Sequence, residues 1–451
     1  MSDRSVLITG ATGIMGSWVL GEALARGYRP VVLMRDANPQ RARERLTAVL
    51  RLNGHETRLD DVRILQGDTR SPNLGQSSAE VASLRASLGG MIHCAACTSF
   101  GSDSDQELWE TNVGGVKNVL AFLEGTGVPL YYVSTAYIAG RRRGRVLETE
   151  LYRNQEFNNT YERSKCEAER LVRASMAAGR LQASIFRPGI IVGCTDQGRI
   201  TQFLNFYSFL RLLDIIAARR KRESGPVRIA ANPLGTKNLI PVDWTAKALW
   251  QIVEADGASG HTYHLTNPKP VSHASLLDWA NKILCSKGMR FEFVDEVGAD
   301  ANGLEEACRA AFSHYSPYLQ GEPRFDRANT DRALGDSLPF PEIGPDLYVR
   351  LLSFAKGQRW RGIFGCKTAE VCAPQKMRRS PPSRLPARRP LLPASILRWN
   401  WRSPSAPKGR VRRLPARMSG MDSETVRRPT WRRKQRQGDE GDRWTKRWRR
   451  A

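Results

Sequence analysis

The sequence contains no long hydrophobic run. None of its apolar stretches approaches the roughly 18 residues that a membrane-spanning helix needs. The first strand pattern begins at about Ser5, so no cleavable signal sequence is expected ahead of it. We therefore predict a cytoplasmic protein.

Cysteine is also scarce, with 8 in 451 residues, and the cysteines are scattered along the chain. Cys94 and Cys97 form CAAC at the end of an apolar strand pattern, where two small buried thiols are favoured over a redox or metal pair. No metal site is predicted. The scattered thiols fit a reducing compartment.

Acidic residues are scarce in one part of the chain. After residue 355 there are 6 Asp and Glu against 28 Lys and Arg, so this last fifth carries +22 of the net charge of +25. It shows little hydrophobic periodicity and cannot bury enough apolar surface to offset its ordering entropy. We predict that residues 356–451 form a disordered, basic Arg/Pro/Trp-rich tail. A basic arm for nucleic acid or anionic lipid is the alternative, which no RNA-binding signature supports.

The first 195 residues alternate short apolar runs with helical patterns, as in SVLITG followed by MGSWVLGEALARG. Such alternation predicts the α/β class, with a doubly wound parallel sheet (Rossmann fold) covered by helices on both faces. Residues 1–195 are predicted to be the domain that contains this sheet. Residues 196–355 are predicted to be a smaller substrate-binding part, interleaved with the last sheet strands near 236–255.

A glycine-rich loop joins the first strand to the first helix in VLITGATGIMGSWV. Its glycines let the backbone turn sharply and approach a pyrophosphate, and the helix that follows offers free N–H groups and the positive end of its dipole. The strand before the loop and the helix after it are the context that a dinucleotide site requires. The cofactor contacts predicted here are Gly10, Thr12, Gly13, Ile14, Met15 and Gly16.

The end of the second strand indicates which dinucleotide binds. Arg35 takes the first position after VVLM and Asp36 the second. At this point an acid holds the 2′-hydroxyl of NAD, or an Arg accepts the 2′-phosphate of NADP. We predict NADPH, with Arg35 as the main phosphate contact and Arg45 in the next helix as a further contact. The alternative is a solvated Arg35, with Asp36 on the ribose.

Residues after the third and fourth strands are predicted to border the same site. Asp68 and Thr69 in GDTRSPNLG are placed to border the adenine. Ala95 and Ala96 in HCAACTSF would let the chain pass close to the cofactor. These four assignments follow from their positions after the strands.

A phenol and an ammonium lie four residues apart in TYERSKCEAERLV, a stretch without Gly or Pro that predicts a helix. Tyr161 and Lys165 therefore share one side of that helix. The cation favours the phenolate, so we expect it to lower the phenol's pKa from its usual value of about 10. Two solvated residues are the alternative. Ser134 and Thr135, which end the fifth strand at the ligand-binding edge of the sheet, favour a functional pair instead.

Taken together, these motifs resemble the extended short-chain dehydrogenase/reductases. TGATGIMG and YERSK mark the superfamily. LMRDANPQRARERL, GDTRSPNLG and VSTAYIAG mark its thioester reductase and fatty acyl-CoA reductase branch, with the male sterility-type NAD(P)-binding domain. RPGIIVG, NLIPVDWTAKAL and YHLTNP extend the resemblance over residues 1–355, and the basic tail is not covered.

The resemblance implies a role for each matching residue. Tyr161 is expected to be the general acid that protonates the carbonyl oxygen, Lys165 to lower its pKa and hold the nicotinamide ribose, and Thr135 to bind the developing oxyanion. Asn112 matches an Asn that organises water near the Lys in classical relatives, although a structural role is favoured here. The residues expected to border the nicotinamide are Pro188, Gly189 and Ile191.

The activity that the resemblance implies is NADPH-dependent reduction of an acyl thioester, on coenzyme A or an acyl-carrier protein, to an aldehyde or alcohol. A carrier protein would come from another chain, since the cofactor-binding strand stands at the N-terminus. A helix from about Gln202 to Ala218 offers apolar side chains to an acyl chain or to the core. Arg219 to Arg222 follow, either at the rim for phosphates or a carrier's acidic face, or as a solvated helix end.

Other functions fit part of the same pattern. A sugar-nucleotide epimerase or dehydratase would keep the glycines, Thr135, Tyr161 and Lys165, and so would a hydroxysteroid-type dehydrogenase. A dinucleotide-sensing or RNA-associated protein is the non-enzymatic alternative, which the intact Tyr161 and Lys165 pair argues against. The oligomeric state, monomer or dimer, stays open.

Overall fold

The elements of the fold alternate strand and helix through most of its length. The computed structural model describes residues 5–98, 105–219, 225–255, 257, 259–285 and 289–364. The strands are β1 (Ser5–Thr9), β2 (Arg29–Met34), β3 (Arg63–Gln66), β4 (Gly90–His93), β5 (Leu130–Val133), β6 (Arg145–Val146), β7 (Ala183–Phe186), β8 (Ile190–Val192), β9 (Val227–Ala230), β10 (Thr236–Lys237), β11 (Leu239–Pro241), β12 (Thr262–Tyr263), β13 (Val271–Ser272), β14 (Phe291–Val294) and β15 (Arg324–Phe325). The helices are α1 (Ile14–Ala25), α2 (Pro39–Asn53), α3 (Ser78–Ser87), α4 (Asp105–Trp109), α5 (Gly115–Leu123), α6 (Thr160–Ala177), α7 (Phe206–Arg219), α8 (Val242–Glu254), α9 (His273–Leu284), α10 (Gly303–Phe312), α11 (Ala328–Leu334) and α12 (Pro345–Gly357). Within the described ranges, no helix is long and apolar enough to cross a membrane.

Seven strands form one parallel sheet in the order β12-β7-β5-β4-β1-β2-β3. The central strands β1, β4, β5 and β7 are buried almost throughout, as expected of a parallel sheet covered on both faces. The strand order reverses between β1 and β4, and such a switch point leaves a crevice for a ligand at the carboxyl ends of the strands. The predicted doubly wound α/β fold is confirmed.

Helices cover both faces of the sheet. On one face α8 packs against α1, and the Trp250 indole donates a hydrogen bond of 2.9 Å to the Val19 carbonyl oxygen. On the other face, Phe122 of α5 and Val172 of α6 are fully buried beside Leu130 of the sheet. Burying such side chains stabilises the fold by about 1.5–3 kcal/mol each.

A second hydrophobic core lies in the part of the chain predicted to bind substrate. Helices α7, α9 and α12 bury their apolar sides around the strand pair β9 and β14. Phe203, Leu210 and Leu213 belong to this core. The domain boundary at residue 195 stays a prediction, because the described residues all lie in one compact unit.

Helix α7 begins later than the sequence pattern predicted. It starts at Phe206 instead of about Gln202, because Asn205 has a φ of 51°, in the left-handed region that a right-handed helix cannot pass through. The side chain of Arg219 and residues 220–222 lie outside the described part, so their predicted rim position stays a prediction.

The folded unit continues past residue 355, where the tail was predicted to begin. Lys356 pairs with Asp214 at 2.8 Å, and the Trp360 ring meets Phe203 edge-on with 6.2 Å between the ring centroids. The Arg45 guanidinium lies 4.9 Å from the centroid of the Phe364 ring. The sequence analysis did not predict these aromatic contacts, because the residues around them are mostly basic. Residues 365–451 lie outside the described residues. The prediction that they are disordered therefore stays a prediction.

Candidate active site

The glycine-rich loop between β1 and α1 is too tight to accommodate side chains at its glycines. Gly10 has a φ of 71°, and a Cβ there would lie 2.7 Å from the backbone nitrogen of Ala95. A Cβ on Gly16 would lie 2.2 Å from the Gly10 carbonyl oxygen. Gly13 precedes α1 with no side-chain cap, which leaves first-turn N–H groups for an anionic ligand. The loop therefore fits a pyrophosphate.

An ion-pair cluster lies beside this loop, at the end of β2. Arg45 donates to the Asp36 carboxylate at 2.6 Å and to the Thr12 hydroxyl at 3.2 Å. Arg41 lies 3.6 Å from the same carboxylate. Asp36 is therefore neutralised by two arginines, while the side chain of Arg35 is exposed. This arrangement leaves Arg35 more accessible to a ligand than Asp36.

The residues predicted near the adenine have partners within the protein. The Asp68 carboxylate accepts hydrogen bonds from the backbone and guanidinium of Arg70 at 2.7–3.0 Å. Burial alone would raise the pKa of Asp68, but the bonds and charge of Arg70 outweigh it and lower that pKa. Thr69 is buried, and its carbonyl oxygen accepts from Asn118 at 2.8 Å. Ala95 donates its N–H to the Thr9 hydroxyl at 3.2 Å.

Asn112 ties the loop after β4 to helix α6. It lies in a π-helical turn, Glu110–Gly114, and is 1% exposed. Its amide oxygen accepts from the Cys97 N–H at 2.8 Å, and its amide nitrogen donates to the Cys97 carbonyl and the Ser164 hydroxyl, each at 3.0 Å. These bonds give Asn112 a structural role. Cys97 and Cys94 are free thiols, half-buried instead of fully buried.

Tyr161, Thr135 and Lys165 come together at the carboxyl end of β5. Tyr161 lies in the first turn of α6 and is hydrogen-bonded to the Thr135 side chain. Lys165, one turn later, is 2% exposed and donates to the Val133 carbonyl oxygen at 2.7 Å. Its ammonium also lies 4.4 Å from the centroid of the Tyr132 ring. The predicted phenol, hydroxyl and ammonium therefore occupy one site.

The electrostatics of this site differ from the expectation that Lys165 lowers the pKa of Tyr161. Burial and the neighbouring Glu162 carboxylate raise the pKa of Tyr161, and the hydrogen bond with Thr135 opposes them. Burial also lowers the pKa of Lys165 to about 7, against the charge of Glu169. Lys165 directs its ammonium to the Val133 carbonyl oxygen. Burial therefore affects the pKa of Tyr161 more than the nearby position of Lys165 on the helix does. The phenol therefore keeps its proton at neutral pH, the form that a general acid needs.

A buried ion pair fixes α6 to the sheet behind the site. Arg187, which follows β7, donates two hydrogen bonds to the Glu169 carboxylate, at 2.5 and 3.0 Å. Glu169 also accepts from Ser134 at 2.7 Å and from Arg173 at 2.9 Å. Burial alone would raise the pKa of Glu169, but the charge and bonds of Arg187 outweigh it and lower it to about 2. The pair holds Ser134, which immediately precedes Thr135 in the chain.

A cavity of about 320 Å³ joins these groups to the second core. It brings together eleven of the predicted site residues, which are Gly13, Ile14, Met15, Gly16, Ala96, Thr135, Tyr161, Lys165, Pro188, Gly189 and Ile191. The predicted residues that do not line it are Gly10, Thr12, Arg35, Arg45, Asp68, Thr69, Ala95 and Asn112. Of the apolar residues in the helix predicted over residues 202–218, Phe206 and Phe209 line the cavity, whereas Phe203, Leu210 and Leu213 lie in the core.

The cavity also has polar residues that sequence reasoning missed. Lys237 and His273 line it without belonging to any motif. Tyr137 donates its phenolic hydrogen to Glu322 at 2.6 Å, and Tyr318 donates to Glu162. Tyr137 lies within the VSTAYIAG motif, although no role was predicted for it, and no motif of the sequence analysis includes Lys237, His273 or Tyr318. In the described part of the chain, no group of His, Cys, Asp and Glu forms a metal site.

Comparison with known proteins agrees with this geometry. Residues 8–249, more than half of the chain, match the family model of the male sterility protein NAD-binding domain. The chain belongs to the male sterility protein family. This match confirms the predicted male sterility-type NAD(P)-binding domain.

The chain is similar to parts of nonribosomal peptide synthetases. The chain is 28% identical over 286 residues to the nonribosomal peptide synthetase asaC of Aspergillus flavus, covering 60% of this chain and 26% of that protein. The chain therefore spans about a quarter of that relative. The terminal R domain of the myxalamid PKS-NRPS pathway shares its fold, with a TM-score of 0.66, 24% identity and coverage of 79% of this chain and 91% of that one. The reductase domain of a Mycobacterium tuberculosis nonribosomal peptide synthetase aligns with a TM-score of 0.62, 21% identity and coverage of 79% and 92%.

Proposed function

We propose that the protein uses NADPH to reduce an acyl thioester and releases an aldehyde. The acyl group is carried on a carrier protein's phosphopantetheine arm or on coenzyme A. The observation that carries the proposal is the hydrogen-bonded pair of Tyr161 and Thr135. Together with Lys165, this pair lies in a cavity that runs from the glycine-rich loop to an apolar wall. The relatives described above are a peptide synthetase and reductase domains of such synthetases, which supports a carrier-bound substrate.

The residues around the loop fit a nicotinamide dinucleotide. The uncapped start of α1 and the three glycines would hold the pyrophosphate. Arg35 would meet the 2′-phosphate, since Asp36 is already bound by Arg45 and Arg41. When bound, the cofactor supplies a hydride to the thioester carbonyl carbon.

Thr135 and Tyr161 act on the carbonyl oxygen of the substrate. Their hydroxyls donate hydrogen bonds to the oxygen as negative charge develops on it, in the manner of an oxyanion hole. Tyr161 then transfers its proton to that oxygen. As the C–S bond breaks, the Tyr161 phenolate takes that proton back from the oxygen and the carbonyl re-forms, so a thiolate and an aldehyde leave.

The far wall of the cavity supports an acyl chain over a sugar nucleotide. Phe206, Phe209, Leu276 and Phe293 line it. A sugar ring needs several hydrogen-bonding groups, and an apolar wall leaves its hydroxyls unpaired at a cost in free energy. The same cavity also has polar lining residues that could pair with sugar hydroxyls, so the apolar wall alone does not decide against the epimerase alternative, and the same fold serves both chemistries.

The full-length protein is expected to couple thiol release to NADPH oxidation. The test mixes the protein and NADPH with a panel of acyl-coenzyme A and acyl-carrier thioesters, and measures free thiol and NADPH absorbance together. One NADPH per thiol indicates an aldehyde, and two indicate an alcohol. Turnover of sugar nucleotides or hydroxysteroids, with no thiol released from any thioester, would contradict the proposal.

Arg35→Asp is expected to weaken NADPH binding and to reduce the protein's preference for NADPH over NADH. A charge-assisted hydrogen bond contributes about 1.5–3 kcal/mol, which corresponds to roughly ten- to a hundredfold in affinity. Fluorescence titration with both dinucleotides measures the effect. Arg51→Asp, the same charge change at the exposed end of α2, is the matched control and should leave both affinities unchanged. Tighter binding of NADH than NADPH by the unmodified protein would refute NADPH as the cofactor.

A further inference from the structure

Two side chains of a short segment, residues 318–322, contact the elements that carry the proposed catalytic hydroxyls. Leu319 is buried in the second hydrophobic core, and its carbonyl oxygen accepts from the Asn232 N–H at 2.9 Å. The Tyr318 carbonyl oxygen accepts from the Lys237 ammonium. The backbone of the segment is therefore fixed to the second core, and its side chains can hold other elements in place.

The Tyr318 hydroxyl is bound to the first turn of α6. It donates to the Glu162 carboxylate and accepts from the Asn159 side chain at 2.7 Å. Glu162 directly follows Tyr161 in the chain, and its buried carboxylate also accepts from the Asn158 N–H at 2.8 Å. Asn159 caps the helix, because its side chain accepts from the Glu162 N–H at 3.0 Å. Tyr318 therefore holds the turn that presents the Tyr161 phenol.

The Glu322 carboxylate is bound to the turn that carries Thr135. It accepts from the Tyr137 hydroxyl at 2.6 Å, and Tyr137 lies two residues after Thr135. The Tyr137 N–H also donates to the Thr135 hydroxyl oxygen at 3.2 Å. A hydrogen bond to an ionised carboxylate is about twice as strong as one between neutral groups. Glu322 therefore restrains the position of the Thr135 hydroxyl through Tyr137.

The two contacts also touch each other. The Tyr137 and Tyr318 rings meet edge-on with 5.9 Å between their centroids, and both residues line the cavity. We infer that residues 318–322 are a positioning element, which sets the separation of the Tyr161 and Thr135 hydroxyls so that both point at one substrate oxygen. The inference rests on the proposed thioester reduction. No atom of the segment needs to touch the substrate for this role.

Positioning matters here because an oxyanion hole works only at short range. Its donors must lie about 2.7–3.1 Å from the place where the charge on the oxygen develops. A displacement of about 1 Å can cost roughly a hundredfold in rate. Tyr161 comes from α6 and Thr135 from the turn after β5, so neither element alone fixes their separation. A segment that is hydrogen-bonded to both elements can fix it.

Removing one hydroxyl at a time tests each contact. Tyr318→Phe and Tyr137→Phe keep the rings and remove the hydrogen bonds to Glu162 and Glu322. Each variant is expected to lower kcat for thioester reduction about tenfold, the low end for a hydrogen bond to a charged group, with KM and NADPH affinity little changed. Tyr348→Phe is the matched control, since the hydroxyl of this buried tyrosine has no partner among the described residues. It should match the wild type.

Combination with substitutions of the catalytic pair separates positioning from other roles. In a Tyr161→Phe background, Tyr318→Phe should cause no further loss, because it acts through a phenol that is already absent. In a Thr135→Val background, Tyr137→Phe should likewise cause no further loss. Initial rates at high enzyme concentration measure these effects. Melting curves with and without NADPH check folding, and either Phe variant decides the matter if the other does not fold.

The outcomes separate this inference from the proposed function. If the wild type reduces no thioester at all, the proposed function fails and the inference falls with it. If thioesters are reduced and a folded Tyr318→Phe or Tyr137→Phe variant works at the full rate, only the inference is overturned. A loss that appears in KM alone, or that recurs undiminished in the Tyr161→Phe and Thr135→Val backgrounds, would also overturn it.

Discussion

Replacing Tyr161 by Phe is expected to lower kcat/KM for thioester reduction about 100- to 10,000-fold, the range for loss of a positioned general acid. Phe keeps the ring in the cavity wall and removes only the hydroxyl that bonds to Thr135. NADPH affinity should change little, because the groups proposed for its phosphates lie after β1 and β2. Initial rates and a fluorescence titration measure the two quantities separately.

A second tyrosine provides the control for this variant. Tyr152 is 59% exposed and is not among the residues that line the cavity. Tyr152→Phe should therefore match the wild type in both rate and affinity. Near-normal turnover by a folded Tyr161→Phe variant would place the proton donor on another group, and would weaken the assignment of Thr135 as its partner.

The parts of the site that could be predicted from the sequence are those with local geometry. Tyr161 and Lys165 share a side of α6 because they lie one helical turn apart, and that holds in any context. The glycine positions are equally local, since one short loop must turn and then start a helix. The doubly wound sheet followed from alternation of strand and helix patterns, because parallel strands need such crossovers.

Properties that depend on burial or on distant pairing were not predictable. The spacing of Tyr161 and Lys165 suggested a lowered pKa for the phenol, but spacing carries no information on the desolvation that raises it. Lys237 and His273 become neighbours only through the pairing of β10 with β13. Trp360 belongs to the fold through contact with Phe203, which lies more than 150 positions earlier in the chain.

Arg187→Met is expected to destabilise the protein by about 3–5 kcal/mol, the usual cost of removing one partner of a buried ion pair. The Arg187 and Glu169 side chains are 1% and 0% exposed, so water cannot replace the lost guanidinium. Met fills much of the same volume, which limits the effect of a cavity. Urea unfolding at neutral pH measures the change.

The matched control removes an arginine from the exposed side of α6, the helix that carries Glu169. Arg170 pairs with Glu167, with side chains 56% and 31% exposed, so Arg170→Met should cost less than about 1 kcal/mol. A similarly small loss for Arg187→Met would mean that Arg173 and Ser134 satisfy the Glu169 carboxylate without it.

Acid should weaken the ion pair between Arg187 and Glu169 by protonating the carboxylate. The pKa of Glu169 is lowered from its usual 4.5 to about 2, chiefly by Arg187 against the opposing effect of burial. A lowered folded-state pKa means that the carboxylate stabilises the fold fully above the unfolded pKa, and that this stability is lost as pH falls through the folded pKa. The wild type should therefore lose this contribution between about pH 4.5 and pH 2. Without the Arg187 charge the folded-state pKa of Glu169 rises toward or above its unfolded value, so Arg187→Met should lose less stability to urea than the wild type between about pH 4.5 and pH 2. Parallel pH curves for the two proteins would show that Arg187 does not set the charge state of Glu169.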